Sequence, residues 1–255
     1  MTADNDWHDT GACPIVIPHG VVDIWTTELS KVTRKQADRY VGLLTAPELE
    51  RFRRFVVPGA ALQFLVARAL LRTVLSQYVA APVTSWRFLT SSYGKPYIAY
   101  PDNSRLNVRF NLSHTDGLAA CAISAGMEVG VDVENHQRRI AVQDLVSSTF
   151  TQQERVQLDG LDEVGQRRLF FAIWTLKEAY VKACGQGLSL ALDAFWFDLS
   201  NADIQLHYLH RGQDVSSDWF FARFQPTLEH DMALAVKKPT DGGKIKVRIC
   251  RLIPP

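Results

Sequence analysis

Residues 21–28 alternate two faces, with Val22, Ile24 and Thr26 opposite Val21, Asp23 and Trp25, and their β-branched and aromatic character predicts a strand. Helical spacing follows twice. Thr45 caps a turn in which Pro47 and Glu48 favour a helix start, and Leu49, Phe52 and Phe55 return at helical intervals. A longer pattern covers about residues 58–78, with Leu62, Leu65, Val66, Ala69, Leu70 and Leu75 as its core stripe. From 85 to 134 the period shortens. Residues 86–88, 106–111, 118–124 and 129–134 predict short strands, separated by the turn sequences Tyr93-Gly94-Lys95-Pro96, Pro101-Asp102-Asn103 and Thr115-Asp116-Gly117. Gly126 breaks the run and marks the expected boundary between an N-terminal unit, 1–126, and a C-terminal unit, 127–255. Helical pattern returns over 142–158 and 165–184, where Gly185 is a natural stop. Strands are expected at 195–199, 204–208, 219–224, 232–237 and 245–250, the last two joined as a hairpin through Asp241-Gly242-Gly243. Helices then strands in each half indicate an α+β fold with mainly antiparallel sheet, and leave a duplication of two halves open.

Composition narrows the class. The chain has 255 residues, 47% hydrophobic and 22% charged, which fits a globular protein of one or two domains and excludes a disordered, collagen-like or coiled-coil chain. A formal net charge of +1 provides no global field for a nucleic-acid backbone, so any anion site must be local. The unbroken apolar runs, such as 118–123, fall short of the ~20 residues of a membrane span. The acidic start, MTADNDWHDT, reads as a frayed tail and lacks the pattern of a secretory signal. Cys13, Cys121, Cys184 and Cys250 lie far apart without a CxxC pair, which argues against zinc and for buried, reduced thiols in a cytoplasmic protein.

Three segments carry candidate chemistry. In Val129-Gly130-Val131-Asp132-Val133-Glu134, strand alternation puts Asp132 and Glu134 on one face, and Gly130 leaves room for something to approach. Two carboxylates ~4 Å apart at an effective dielectric of ~20 repel by roughly 4 kcal/mol, which a divalent cation would reverse. The hexapeptide alone reads first as a solvated strand end with two harmless acids, since any half-exposed strand shows alternating polar positions. In residues 170–182, Phe170, Ile173, Trp174, Lys177 and Val181 share a mostly apolar helical face, and Glu178 and Lys182 stack one turn apart beside it. That pair is either an ordinary surface ion pair or a third acid with a neighbouring ammonium, an arrangement suited to magnesium and a pyrophosphate. In Phe110-Asn111-Leu112-Ser113-His114, the polar groups Asn111, Ser113 and His114 end an apolar strand, as the rim of an oxyanion site would. The chain has no nucleophile elbow, no Walker loop and no G-x-G-x-x-G, so bound phosphates must be held by side-chain charge, with Arg51, Arg53, Arg54 and Lys95 as candidates.

FNLSH, VGVDVE about twenty residues on, and WTLKEAYVK followed by GQGLSL, with Tyr-Gly-Lys-Pro upstream, resemble the signature blocks of 4′-phosphopantetheinyl transferases, in order, from roughly residue 44 to 190. The resemblance is to the two-domain monomeric class that activates peptide and polyketide synthase carrier proteins. It implies two similar α+β subdomains related by a pseudo-two-fold, each a small mainly antiparallel sheet packed with helices, with the active site in the cleft between them. It implies Asp132, Glu134 and Glu178 as ligands of Mg2+, or Mn2+ in its place, with Asp132, Glu178 and Lys182 as the catalytic set. Lys182 would contact the pyrophosphate of coenzyme A, and Glu178 would help deprotonate the incoming hydroxyl. His114 and Ser113 would hold coenzyme A phosphates, with Lys95 and Arg51 on the 3′-phosphate side. A carrier-protein serine would attack the β-phosphorus, releasing adenosine 3′,5′-bisphosphate. The expected partners are coenzyme A and an acidic, helical apo carrier protein, with no nucleic acid and no membrane, for a monomer in the cytoplasm. One departure concerns the long helix. Where relatives often carry an Arg and a small polar residue, this chain has Gln63 and Phe64. Two rival readings remain: a magnesium-dependent hydrolase of nucleotide pyrophosphates, and a non-catalytic module that binds carriers or anionic ligands.

Overall fold

A computed structural model describes residues 15–101, 107–201, 203–209 and 216–255, without the side chain of Leu188. The acidic tail, Cys13, Asp102, Asn103 and Leu106 lie outside the described residues. The element order repeats. β1 (Val21–Glu28) leads to α1 (Arg34–Val41), α2 (Ala46–Arg53) and α3 (Pro58–Tyr78), then the hairpin β2 (Arg87–Thr90) and β3 (Pro96–Tyr100), then β4 (Val108–Thr115) and β5 (Leu118–Ala125). β6 (Val129–Asn135) leads to α4 (Val142–Thr149), α5 (Gln152–Leu158) and α6 (Glu163–Cys184), then the hairpin β7 (Phe195–Asp198) and β8 (Gln205–Tyr208), then β9 (Trp219–Thr227) and β10 (His230–Lys237). In each half the first strand pairs antiparallel with the last, and the last with the one before it, giving β1-β5-β4 and β6-β10-β9. The fold is α+β and its sheets are mainly antiparallel.

The final strand, β11 (Lys246–Arg251), corrects one expectation. It does not form a hairpin with β10 but pairs in parallel with β1, Val22 against Val247 and Ile24 against Ile249. Asp23, 2% exposed, fixes that pairing, since Arg248 donates to its two oxygens at 2.5 and 2.7 Å and the Tyr78 hydroxyl donates at 2.6 Å.

Other differences have local causes. The single helix expected over 142–158 is two, because Thr151 and Glu154 form a capping box that starts α5 after the extended Phe150. The polar helix α1 begins at a Thr33–Gln36 capping box. Of the thiols, Cys121 is buried as expected, while Cys184 and Cys250 are partly exposed; none of the three is in a disulfide.

Each long helix packs on its own sheet. α3 buries Leu65, Val66, Leu70 and Leu71 with Cys121 and Ile123 of β5. By length and composition it is apolar enough to cross a bilayer, although its apolar residues form no long unbroken run; here most of it is buried inside the protein. α6 packs Leu176, Ala179 and Ala183 with Ala233 and Ala235 of β10. A third cluster joins the halves, with Val22, Ile24, Ala120 and Ala122 against Val129, Val131 and Val133.

Candidate active site

Strand alternation in β6 sends Val129, Val131 and Val133 into the shared core, and turns Gly130, Asp132 and Glu134 to the other face. What approaches Gly130 is the backbone of α6. A Cβ at this position would lie 2.0 Å from the Ala179 carbonyl oxygen and 2.5 Å from the Ala183 nitrogen. This close approach brings Glu178 and Lys182 of α6 alongside Asp132. Lys182 Nζ donates to Asp132 Oδ1 at 2.6 Å, to Ser113 Oγ at 3.0 Å and to the Val131 carbonyl at 3.3 Å.

The second support comes from β4. β6 is the outer strand of its sheet, and its amides of Val131, Val133 and Asn135 donate to the side chains of Asn111 (2.9 Å), Ser113 (3.3 Å) and Thr115 (3.3 Å). Side chains at every second residue of β4 thus take the place of a backbone ladder and close the edge of β6. Ser113, expected on a phosphate-binding rim, is buried in this seam, where its hydroxyl donates to Asp132 Oδ1 at 2.9 Å.

The electrostatics of the acids follow from this packing. Burial, then repulsion from Asp132, raises the pKa of Glu134 above the ordinary carboxylate range. Glu178 is raised by burial, then by Asp132 and Glu134, against an opposing effect of Lys182. Asp132 is 4% exposed, and its Oδ2 has no hydrogen-bond partner among the described residues. A buried carboxylate oxygen left unpaired costs on the order of 1–3 kcal/mol or more. Among the described residues, no group of three or more His, Cys, Asp or Glu is placed so that it could hold a metal ion as it stands. The donor chemistry nevertheless fits a hard dication: three carboxylates within electrostatic reach of one another and one oxygen lacking a partner.

His114 points away from the seam and is exposed. Desolvation of part of the ring, then the charges of Lys182, Arg68 and Arg51, pushes its pKa down to about 4. Arg51 and Arg68 both lie over the Phe64 ring, 5.2 and 5.1 Å from its centroid. Phe64, the departure noted in the long helix, therefore organises two cations. Arg68 was missed by sequence reasoning; its signal is a charge inside an apolar stripe, one turn after Phe64. Lys95 lines a cleft of about 580 Å³ together with Asn111, Glu178, Lys182 and Gly185. Its ammonium donates to Glu128 at 2.7 Å and to the Ala183 carbonyl at 2.9 Å, so it caps the C-terminus of α6. Arg53 and Arg54 end α2, where Arg54 pairs with Glu50 of the same helix.

Comparison with known proteins gives this site its class. Residues 31–126 match the family described as "4'-phosphopantetheinyl transferase, N-terminal", and residues 128–237 match the "4'-phosphopantetheinyl transferase superfamily". The 4'-phosphopantetheinyl transferase HetI of Nostoc sp. is 31% identical over 170 residues, covering 66% of this chain and 70% of that protein. A 4'-phosphopantetheinyl transferase of Bacillus subtilis is 30% identical over 214 residues, covering 83% and 91%. A holo-[acyl-carrier-protein] synthase structure from Thermotoga maritima superposes on 44% of this chain and 64% of its own, with 21% identity and a TM-score of 0.37. The chain belongs to the 4'-phosphopantetheinyl transferase superfamily, in its two-domain class. It is a transferase that moves the phosphopantetheine group onto carrier proteins.

Proposed function

We propose that the donor is coenzyme A, that the reaction depends on Mg2+ or Mn2+, and that Asp132, Glu134 and Glu178 hold the cation. The reading rests on Asp132, a buried carboxylate with one oxygen unpartnered and two further carboxylates of raised pKa beside it. A dication held by these three carboxylates would supply positive charge against the charge that grows on the phosphoryl oxygens during transfer. This chain's own groups do the rest. Lys182, on α6 beside Asp132 and lining the cleft it shares with Lys95 and Asn111 of the N-terminal unit, donates to the departing phosphate. Glu178, half-buried and raised in pKa, takes the proton of the carrier serine directly or through water. The serine oxygen bonds to the β-phosphorus as the bond to the bridging oxygen breaks, and adenosine 3′,5′-bisphosphate leaves. Arg51 and Arg68 form the cationic wall for the nucleotide phosphates, with the neutral His114 ring beside them as a hydrogen-bonding group. Ser113 and Lys95 support the site through Asp132 and the end of α6.

The two subdomains, 1–126 and 127–255, would meet along this cleft, with the carrier docking across its mouth. β11 lies in the second by sequence but extends the sheet of β1 in the first. The remaining parts of the reading are a monomer, a cytoplasmic setting, and carriers of peptide or polyketide synthases.

Incubation with coenzyme A, Mg2+ and an apo carrier, followed by intact mass analysis of the carrier, tests the reading. A gain of one phosphopantetheinyl group, lost in Asp132→Ala and Glu178→Ala, is expected. Free 4′-phosphopantetheine formed without carrier would indicate a hydrolase instead, and coenzyme A bound without turnover would indicate a binding module.

A further inference from the structure

The seam between β4 and β6 repeats one device. Ser113 Oγ accepts the Val133 amide hydrogen and gives its own proton to Asp132 at 2.9 Å. Two residues on, Thr115 Oγ1 accepts the Asn135 amide hydrogen at 3.3 Å and gives its proton to Glu134 Oε2 at 3.0 Å. In each case the amide occupies an acceptor lobe of the hydroxyl, so the single hydroxyl proton is directed at the carboxylate one residue earlier. At the third rung Asn111 accepts from Val131, and the preceding residue is Gly130, which has no side chain to hold. The pattern is therefore matched to the acids. Thr115 is 5% exposed, and the Glu134 oxygen it holds also pairs with Arg138, whose nitrogen lies 3.5 Å away on a largely exposed side chain.

We infer that Thr115 is a positioning residue for the cation site. By fixing the Asn135 amide and the Glu134 carboxylate with one hydroxyl, it ties the aim of Glu134 to the register of the two sheets. The inference rests on the proposal that Glu134 is a ligand. Groups that orient a ligand in this way are typically worth 10–100-fold in metal affinity.

The test is a Mn2+ titration of the full chain, followed by the electron paramagnetic resonance signal of free Mn2+, with the metal alone as probe. Thr115→Val should weaken Mn2+ binding about tenfold, and Thr115→Ser, which keeps the hydroxyl, should restore it. In carrier modification, the apparent KM for Mg2+ should rise by a similar factor while kcat at saturating metal stays near wild type. Thr115→Val added to Glu134→Ala should weaken binding no further than Glu134→Ala alone. If Glu134→Ala loses Mn2+ but Thr115→Val binds it as wild type does, the inference falls and the metal reading stands. An additive double variant also overturns it, because Thr115 would then act elsewhere. Wild-type affinity in Glu134→Ala overturns the metal reading itself. Should Thr115→Val fold poorly, Thr115→Ala is held to the same outcomes.

Discussion

Gly130→Ala probes the contact that assembles the site. The added Cβ would lie 2.0 Å from the Ala179 carbonyl oxygen, 2.5 Å from the Ala183 nitrogen and 3.0 Å from the Ala183 Cβ. The two nearest atoms are backbone, so no rotamer change relieves them. Restoring an ordinary contact of 3.4 Å requires α6 and β6 to separate by about 1.4 Å. Overpacking of this kind costs about 1–3 kcal/mol, and a backbone clash belongs at the upper end. About 3 kcal/mol corresponds to a melting temperature lower by roughly 6–12 °C in a protein of this size. Glu178 and Lys182 move with α6, while Asp132 and Glu134 stay on β6. A misplacement of ~1 Å costs about 100-fold in rate. Thermal unfolding and carrier-modification kinetics on the same preparation measure both effects. A variant that melts within about 2 °C of wild type and keeps its turnover would refute the reasoning.

Lys177→Met should lower stability by about 3–5 kcal/mol, because it leaves Glu154 buried and unpaired; both side chains are fully buried and 2.8 Å apart. Denaturant midpoints check this, and adding Glu154→Gln should recover part of the loss. Arg248→Met should cost about 1–2 kcal/mol through the loss of its bonds to Asp23, a value reduced because the arginine is 42% exposed, and should raise amide exchange in β11 first. His114 has a folded pKa near 4, below its ordinary 6.5, so its contribution to stability is full above pH 6.5 and is lost as pH falls toward 4. Histidine NMR titration should show it neutral from pH 5 to 8 in the free protein, and adenosine 3′,5′-bisphosphate should raise its pKa. A ligand-independent value would remove His114 from the phosphate wall.

The sequence reveals those parts of the fold whose signal is local and periodic. α3, α6 and β1 have long apolar patterns and stand where those patterns place them. α1 has little apolar face and was not expected, and the apolar pattern over 142–158 hid the break before α5; each start is marked instead by a capping box, Thr33 with Gln36 and Thr151 with Glu154. The partner of β11 was not legible, because alternation at 245–250 specifies a strand but not a neighbour more than 220 residues away. The acids and Lys182 were legible as motifs. The seam was not: Asn111 and Ser113 read as the rim of an oxyanion site and Thr115 as the start of a turn, whereas all three face the edge of another strand. Gly130 was legible as a gap, but its occupant, a helix backbone, became visible only with the packing.

Anomalous diffraction from crystals grown with Mn2+ and coenzyme A bears most directly on the arrangement of the acids. One peak is expected, with oxygens of Asp132, Glu134 and Glu178 about 2.1 Å away and phosphate and water oxygens completing the octahedron. Fully bound coenzyme A with no peak between β6 and α6, or a peak from which the Glu178 carboxylate turns away, would contradict it.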